Sequence, residues 1–102
     1  ISAILAGFQR TPTEQGFEII TVKGWDYLAL FAAYERAEKI CREEHVPVLV
    51  HVVEMTQPQG HSTSGSHERY KSKERLAWEH QYDCLRQMRL WMLDQGVSTP
   101  EE

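Results

Sequence analysis

From Val46 to Met55 the chain reads Val-Pro-Val-Leu-Val-His-Val-Val-Glu-Met, apolar and β-branched without the alternation of a strand that has one face in water. A run of this kind suits a strand covered on both faces, and such strands belong to mostly parallel sheets flanked by helices. Phe17 to Lys23 is a shorter β-rich run that ends in a turn at Gly24. Between the two runs, Tyr27, Leu30, Phe31, Tyr34, Ala37, Ile40 and Cys41 recur every three or four residues, which predicts a helix over 26–45 with these side chains as its buried face. Asp26 is a good N-cap because its carboxylate can accept from the free N–H groups of the first turn. Trp25 and Leu30 stand at the two positions of a hydrophobic staple. Glu35–Lys39 and Glu38–Arg42 are i,i+4 pairs in the favourable order on the solvent side. Strand, helix, strand in this order reads as a right-handed βαβ unit, so the expected fold class is α/β.

The ends of the chain add short helices. Ile1, Ile4, Leu5 and Phe8 have helical spacing in an amphipathic stretch ended by Gly7 or by Thr11-Pro12, and Thr11 to Gly16 is a turn-rich loop. Beyond Ser72 a short helix precedes a longer one from Asp83 to about Gln95. Leu85, Met88, Trp91 and Met92 mark the buried face of the longer helix, and Gly96 stands where a C′ stop is expected. Val97 to Glu102 lacks periodicity and reads as a frayed tail, which leaves 1–96 as the folded part. Trp25, Trp78 and Trp91 sit at packing positions that require no ligand.

A chain of 102 residues is one domain or a piece of one. The first residue is Ile1 rather than Met, which suggests a piece of a longer polypeptide. The net charge of −4 makes neither nucleic acid nor an anionic membrane an expected partner. No apolar run approaches the roughly 20 residues of a membrane helix, and no signal peptide is evident. Cys41 and Cys84 lack a C-x-x-C spacing and read as two buried thiols in a reducing compartment.

The stretch after the apolar run is Gln57-Pro58-Gln59-Gly60-His61-Ser62-Thr63-Ser64-Gly65-Ser66-His67-Glu68-Arg69-Tyr70-Lys71-Ser72. A long polar segment leaving the carboxyl end of a buried strand is where α/β proteins keep their ligands. Its Gly60-His61-Ser62 triplet, followed by Thr63-Ser64 and then Tyr70-Lys71-Ser72, resembles the phosphorylatable loop of one family. This is the alpha subunit, or alpha half, of the thiamine diphosphate-dependent 2-oxo acid dehydrogenases, the decarboxylating first components of the pyruvate and branched-chain complexes. Thr21-Val22-Lys23-Gly24-Trp25-Asp26 is similar to the family's Val-Asp-Gly-Asn-Asp turn, Pro47-Val48-Leu49-Val50 to its Pro-Thr-Leu-Ile strand, and Trp78 with Asp83-Cys84-Leu85 to its Trp…Asp-Pro-Ile segment. The resemblance covers residues 17 to 96 or so, with four motifs in the family's order.

The resemblance implies a role for each matching residue. Gly60, His61 and Ser62 would approach the thiamine diphosphate, and His61 would assist transfer of the acyl group to a lipoyl arm. Imidazole suits that task, being the side chain best able to exchange a proton near neutrality. Ser62 matches the site that a kinase phosphorylates in mitochondrial members, where added charge would fall beside an anionic cofactor. The bland alternative is a serine that supports the loop through local hydrogen bonds. Tyr70 and Lys71 match a Tyr-Arg pair that anchors the loop. Lys lacks the fork of Arg, which Arg69 could supply from next door.

Departures from the pattern also carry meaning. Gln57 stands where many members have an arginine on the diphosphate, and Gly65-Ser66 replaces an acidic pair. The family's Gly-Asp-Gly motif and the asparagine pair that hold Mg²⁺ and the diphosphate do not occur here. The resemblance therefore implies the carboxyl-terminal part of a thiamine diphosphate-binding domain, inactive alone, with Mg²⁺ bound by residues outside this chain. It further implies a beta part or subunit, a lipoyl-bearing acyltransferase component, a 2-oxo acid substrate, and a homo-oligomer or an assembly of two alpha and two beta subunits. The compartment would be a bacterial cytoplasm or a mitochondrial matrix. A metal site from His51, His61, His67 and a cysteine has no ligand pair at structural-zinc spacing, and no Gly-x-Ser-x-Gly elbow supports a hydrolase. The remaining alternatives are an acetoin dehydrogenase-type thiamine enzyme and a non-catalytic interaction module that docks a partner through 57–72.

Overall fold

Two β-rich runs joined by a helix pair side by side, as the βαβ pattern requires. In the computed structural model, which describes residues 1–57 and 67–100, β1 (Glu18–Lys23) and β2 (Val48–Val53) are parallel and in register from Glu18↔Val48 to Lys23↔Val53. The helix α2 (Tyr27–Lys39) connects them and ends in a π-turn at Ile40–Glu44, with His45 left-handed at φ 54°. The fold is α/β, two parallel strands with flanking helices. The chain divides into two units, Ile1–Gly24 with Leu28–Val53, and Trp25–Tyr27 with Glu54–Glu102.

The core of the first unit is Ile20 and Val22 of β1 with Ala33 and Ala37 of α2, and Ala29, Leu30, Val48, Val50 and Val52 pack against it. This corrects the expected helix face. Leu30, Ala37 and Ile40 do turn inward, but Tyr27, Phe31, Tyr34 and Cys41 are exposed. The physical reason is size. Alanines at 29, 33 and 37 recur every four residues and let the helix lie close to the sheet, which rotates the neighbouring aromatic stripe outward. Glu38 and Arg42 form their i,i+4 pair at 2.9 Å. β2 is half-buried at every position rather than buried on both faces, and its Val48, Val50 and Val52 side chains pack toward α2.

On the opposite side lie Leu49, His51 and Val53, where Ser2 Oγ of α1 (Ser2–Leu5) is 2.8 Å from His51 Nδ1. A 3₁₀ turn, Ala6–Phe8, follows α1. Ile1, Ile4 and Phe8 are exposed, so only Leu5 of the expected apolar face is even half-buried. The chain then returns on itself: Phe17 N–H donates to Phe8 O and Arg10 N–H to Phe17 O. Glu18 accepts from Arg10 Nε and Arg36 Nη2, both at 2.9 Å, and Arg10 also pairs with Glu44.

The second unit holds three helices, α3 (His67–Tyr70), α4 (Lys73–Gln81) and α5 (Cys84–Asp94). Ser72 caps α4 by accepting from Arg75 N–H at 3.2 Å, and Asp83 caps α5 by accepting from Arg86 N–H at 3.0 Å. Gly96, at φ +65°, ends α5 as its spacing predicts: Val97 N–H reaches Met92 O and Gly96 N–H reaches Leu93 O, the paired bonds of a Schellman motif. Met88, Trp91 and Met92 are half-buried, whereas Leu85 is 78% exposed, because it lies in the first turn of α5 and faces solvent. Cys41 and Cys84 are both exposed, which corrects the expectation of buried thiols. Cys41 lies on the outward stripe of the helical segment, and Cys84 opens α5. Among the described residues no helix is long and apolar enough to cross a membrane.

Candidate functional site

β2 ends at Val53, and the next residue, Glu54, takes up a left-handed backbone at φ 53°. A non-glycine residue holds that conformation when its surroundings fix it. Here the Glu54 carboxylate accepts from Trp25 Nε1 at 2.9 Å. The Trp25 ring lies 4.7 Å from that of Tyr82, and Tyr82 lies 5.1 Å from Trp78 of α4. The Arg75 guanidinium sits 4.5 Å over the Trp78 ring. The three tryptophans do occupy packing positions, the third being Trp91 beside Tyr27 at 5.7 Å.

At the other end of the polar stretch, α3 leads into Lys71, whose N–H donates to His67 O at 2.9 Å. Lys71 Nζ donates to both carboxylate oxygens of Glu79, at 2.9 and 2.8 Å, and Arg75 Nε donates to Oε1 at 2.9 Å. Glu79 is 2% exposed. Burial alone would push its carboxyl toward the neutral form, but the hydrogen bonds and charges of Lys71 and Arg75 outweigh burial and hold its pKa below the ordinary glutamate value. His67, 6% exposed, meets the Tyr70 ring edge-on at 5.6 Å, and neither of its ring nitrogens has a hydrogen-bond partner among the described residues.

Gly60, His61 and Ser62, the residues singled out for chemistry, lie outside the described residues, as do Thr63 to Ser66. Tyr70 is exposed at the end of α3, and Lys71 is tied down. Arg75 on α4 joins Lys71 on Glu79 through its Nε, and Arg69 is exposed. Glu79, Arg75 and Glu54 escape a reading of the sequence by motif. The i,i+4 spacing of Arg75 and Glu79 is a signal for their pairing, whereas the reach from Lys71 to Glu79 is not visible without the fold.

Among the described residues no three His, Cys, Asp or Glu side chains gather to hold a metal ion. Lys71 and Arg75 are committed to Glu79, and Gln57 is neutral. These residues do not fit a metal–diphosphate group.

Comparison with known proteins gives the same direction as the motifs. The sequence model of the dehydrogenase E1 component family matches residues 8–102. The mitochondrial 2-oxoisovalerate dehydrogenase subunit alpha of Dictyostelium discoideum is 36% identical over 89 residues, 85% of this chain and 20% of that protein. The chain thus spans about a fifth of the length of that relative. No solved structure matches. The family match takes in both strands, the helix between them and both flanks of the Gly60-His61-Ser62 triplet, and the chain therefore belongs to the dehydrogenase E1 component family.

Proposed function

We propose that this chain is the carboxyl-terminal part, over 1–96, of the cofactor-binding domain in the alpha subunit or alpha half of a 2-oxo acid dehydrogenase, with 97–102 as a tail. The reaction is oxidative decarboxylation of a 2-oxo acid with reductive acylation of a lipoyl group on an acyltransferase component. The observation that carries this reading is the family match over residues 8–102, which includes the Gly60-His61-Ser62 triplet. The name of the Dictyostelium relative favours a branched-chain 2-oxo acid over pyruvate and over acetoin. That relative is mitochondrial, which supports the mitochondrial matrix over a bacterial cytoplasm as the compartment.

Thiamine diphosphate, when bound, supplies the electron sink for decarboxylation. Residues outside this chain hold it with Mg²⁺, and the chain alone is inactive. On this reading Gly60 would let the chain approach the cofactor, and His61 would give or take a proton as the acyl group moves to the lipoyl arm. Ser62 would support the segment through local hydrogen bonds, and phosphorylation would act at that residue. Tyr70 and Lys71 anchor its far end. A beta part or subunit completes the active site.

Calorimetric titration of thiamine diphosphate with Mg²⁺ tests the division of labour. Binding to the complete enzyme and not to this chain is the expected result. Absence of binding to either would favour the non-catalytic interaction module. In the complete enzyme, His61→Ala should lower acyl transfer to lipoyl by about tenfold or more, with the melting temperature nearly unchanged. Full turnover would remove His61 from the mechanism.

A further inference from the structure

We infer that Glu79 is a positioning residue: its buried carboxylate grips Lys71 on one flank of the Gly60-His61-Ser62 segment, while its own helix holds Glu54 on the other. The inference rests on the proposed role of His61 in acyl transfer. Its ground is a continuous line of contacts, Lys71–Glu79–Arg75–Trp78–Tyr82–Trp25–Glu54, in which each step is a hydrogen bond, a cation–ring contact or a ring contact in a single unit. Both ends of the segment are thereby referred to α4 and its C-cap Tyr82.

An acid at 2% exposure is a costly way to fill space. Replacing a buried ion pair by apolar residues of similar volume is often neutral or stabilising, so stability alone does not explain Glu79. What the pair supplies is geometry. Lysine is a point charge on a flexible stem. Here both Glu79 oxygens hold it, and Arg75, itself packed on Trp78, restrains the carboxylate from the other side. The Lys71 N–H bond to His67 O passes that restraint into α3. On the other flank, the Trp25 N–H fixes a left-handed Glu54, the residue where the chain leaves β2. A misplacement of about 1 Å in a catalytic group can cost about a hundredfold in rate, so a rigid frame on both flanks has a kinetic use.

The test is made in the complete enzyme with Glu79→Gln, Lys71→Met and the two combined, beside Lys71→Arg. The readouts are kcat with the lipoyl-bearing component, KM for the 2-oxo acid, and amide exchange of residues 67–72 in cofactor-free protein. Each single variant should lose about ten- to a hundredfold in kcat, with KM for the 2-oxo acid little changed and exchange faster over 67–72. The double variant should be no worse than either single one, and Lys71→Arg should retain activity. Additive losses, or kcat within about twofold of the parent in Glu79→Gln, would overturn the inference. Should Glu79→Gln fail to fold, Lys71→Met with Glu79→Leu removes the buried charge. That variant should fold and still lose kcat, and full activity in it would overturn the inference. His61→Ala measured alongside separates two failures. If it abolishes acyl transfer while the Glu79 variants do not, only the positioning role is lost, and if neither does, the reading of the site is lost with it.

Discussion

Glu79 carries a charge with almost no access to water, and its behaviour with pH follows from that. In the folded chain its carboxyl binds a proton less readily than an ordinary glutamate, because Lys71 and Arg75 outweigh the cost of burial. A depressed folded pKa contributes stability that is fully present above the unfolded value of about 4.3 and is lost as pH falls through the folded value. The difference in urea midpoint between the parent and Glu79→Gln should therefore be flat from neutrality to mildly acid pH and shrink in stronger acid. A difference that grows in acid would contradict the sign. Near neutrality the variant should cost about 3 kcal/mol, the usual penalty for breaking a buried pair from one side. Gly16 is constrained by space instead. A Cβ there would meet Phe8 O at 2.5 Å, Arg10 N at 2.6 Å and the Gln9 carbonyl carbon at 2.7 Å, all backbone atoms. Gly16→Ala should lower stability by about 1–3 kcal/mol in chemical denaturation. A Cβ at Gly7 meets nothing within 4 Å, so Gly7→Ala should change stability by less than about 0.5 kcal/mol. Neither Glu79 nor Gly16 stands out in the sequence, because what makes them matter is contact with residues far from them along the chain.

Elements were more legible than residues where their signals are local. Asp83 and Gly96 bracket α5 in the sequence and do so in the structure, since a cap and a left-handed stop depend only on neighbouring backbone. Asp83→Ala should cost about 1 kcal/mol through loss of the cap, and Gly96→Ala about 1–2 kcal/mol through strain at positive φ. Both are read by denaturant titration, and helix content by circular dichroism should fray in step. Equal stability of Gly96→Ala and the parent would mean that α5 ends differently in solution. The two strands and the helix between them were legible from hydrophobic patterning over 17–55, and their parallel register followed from the topology. The inward face of α2 was not. A helix with two adjacent apolar stripes offers no sequence signal for which one meets the sheet, and small alanines won over the aromatic stripe by allowing closer approach. α3 was also not foreseen, being a single turn with no room for periodicity.

At the scale of the whole molecule, a pair of strands makes a marginal sheet unless more layers cover it. The sequence of β2 asks for cover on both faces, and the described residues leave all six of its positions half-buried. On α2, Leu28, Phe31 and Tyr34 are 56%, 65% and 57% exposed. Apolar surface of that kind on a small soluble chain marks a place where other protein packs. On the proposed function, the rest of the cofactor-binding domain or the beta part would cover it. The 102-residue chain by itself should then bury these faces in copies of itself. Sedimentation over a tenfold range of concentration should show reversible association. Phe31→Glu, which charges the outward stripe without touching the alanine face, should weaken association while leaving the circular dichroism spectrum unchanged. A strictly monomeric chain with one sharp melt would mean that the exposed stripe is ordinary surface, and the case for a larger domain around this chain would fall back on the family match alone.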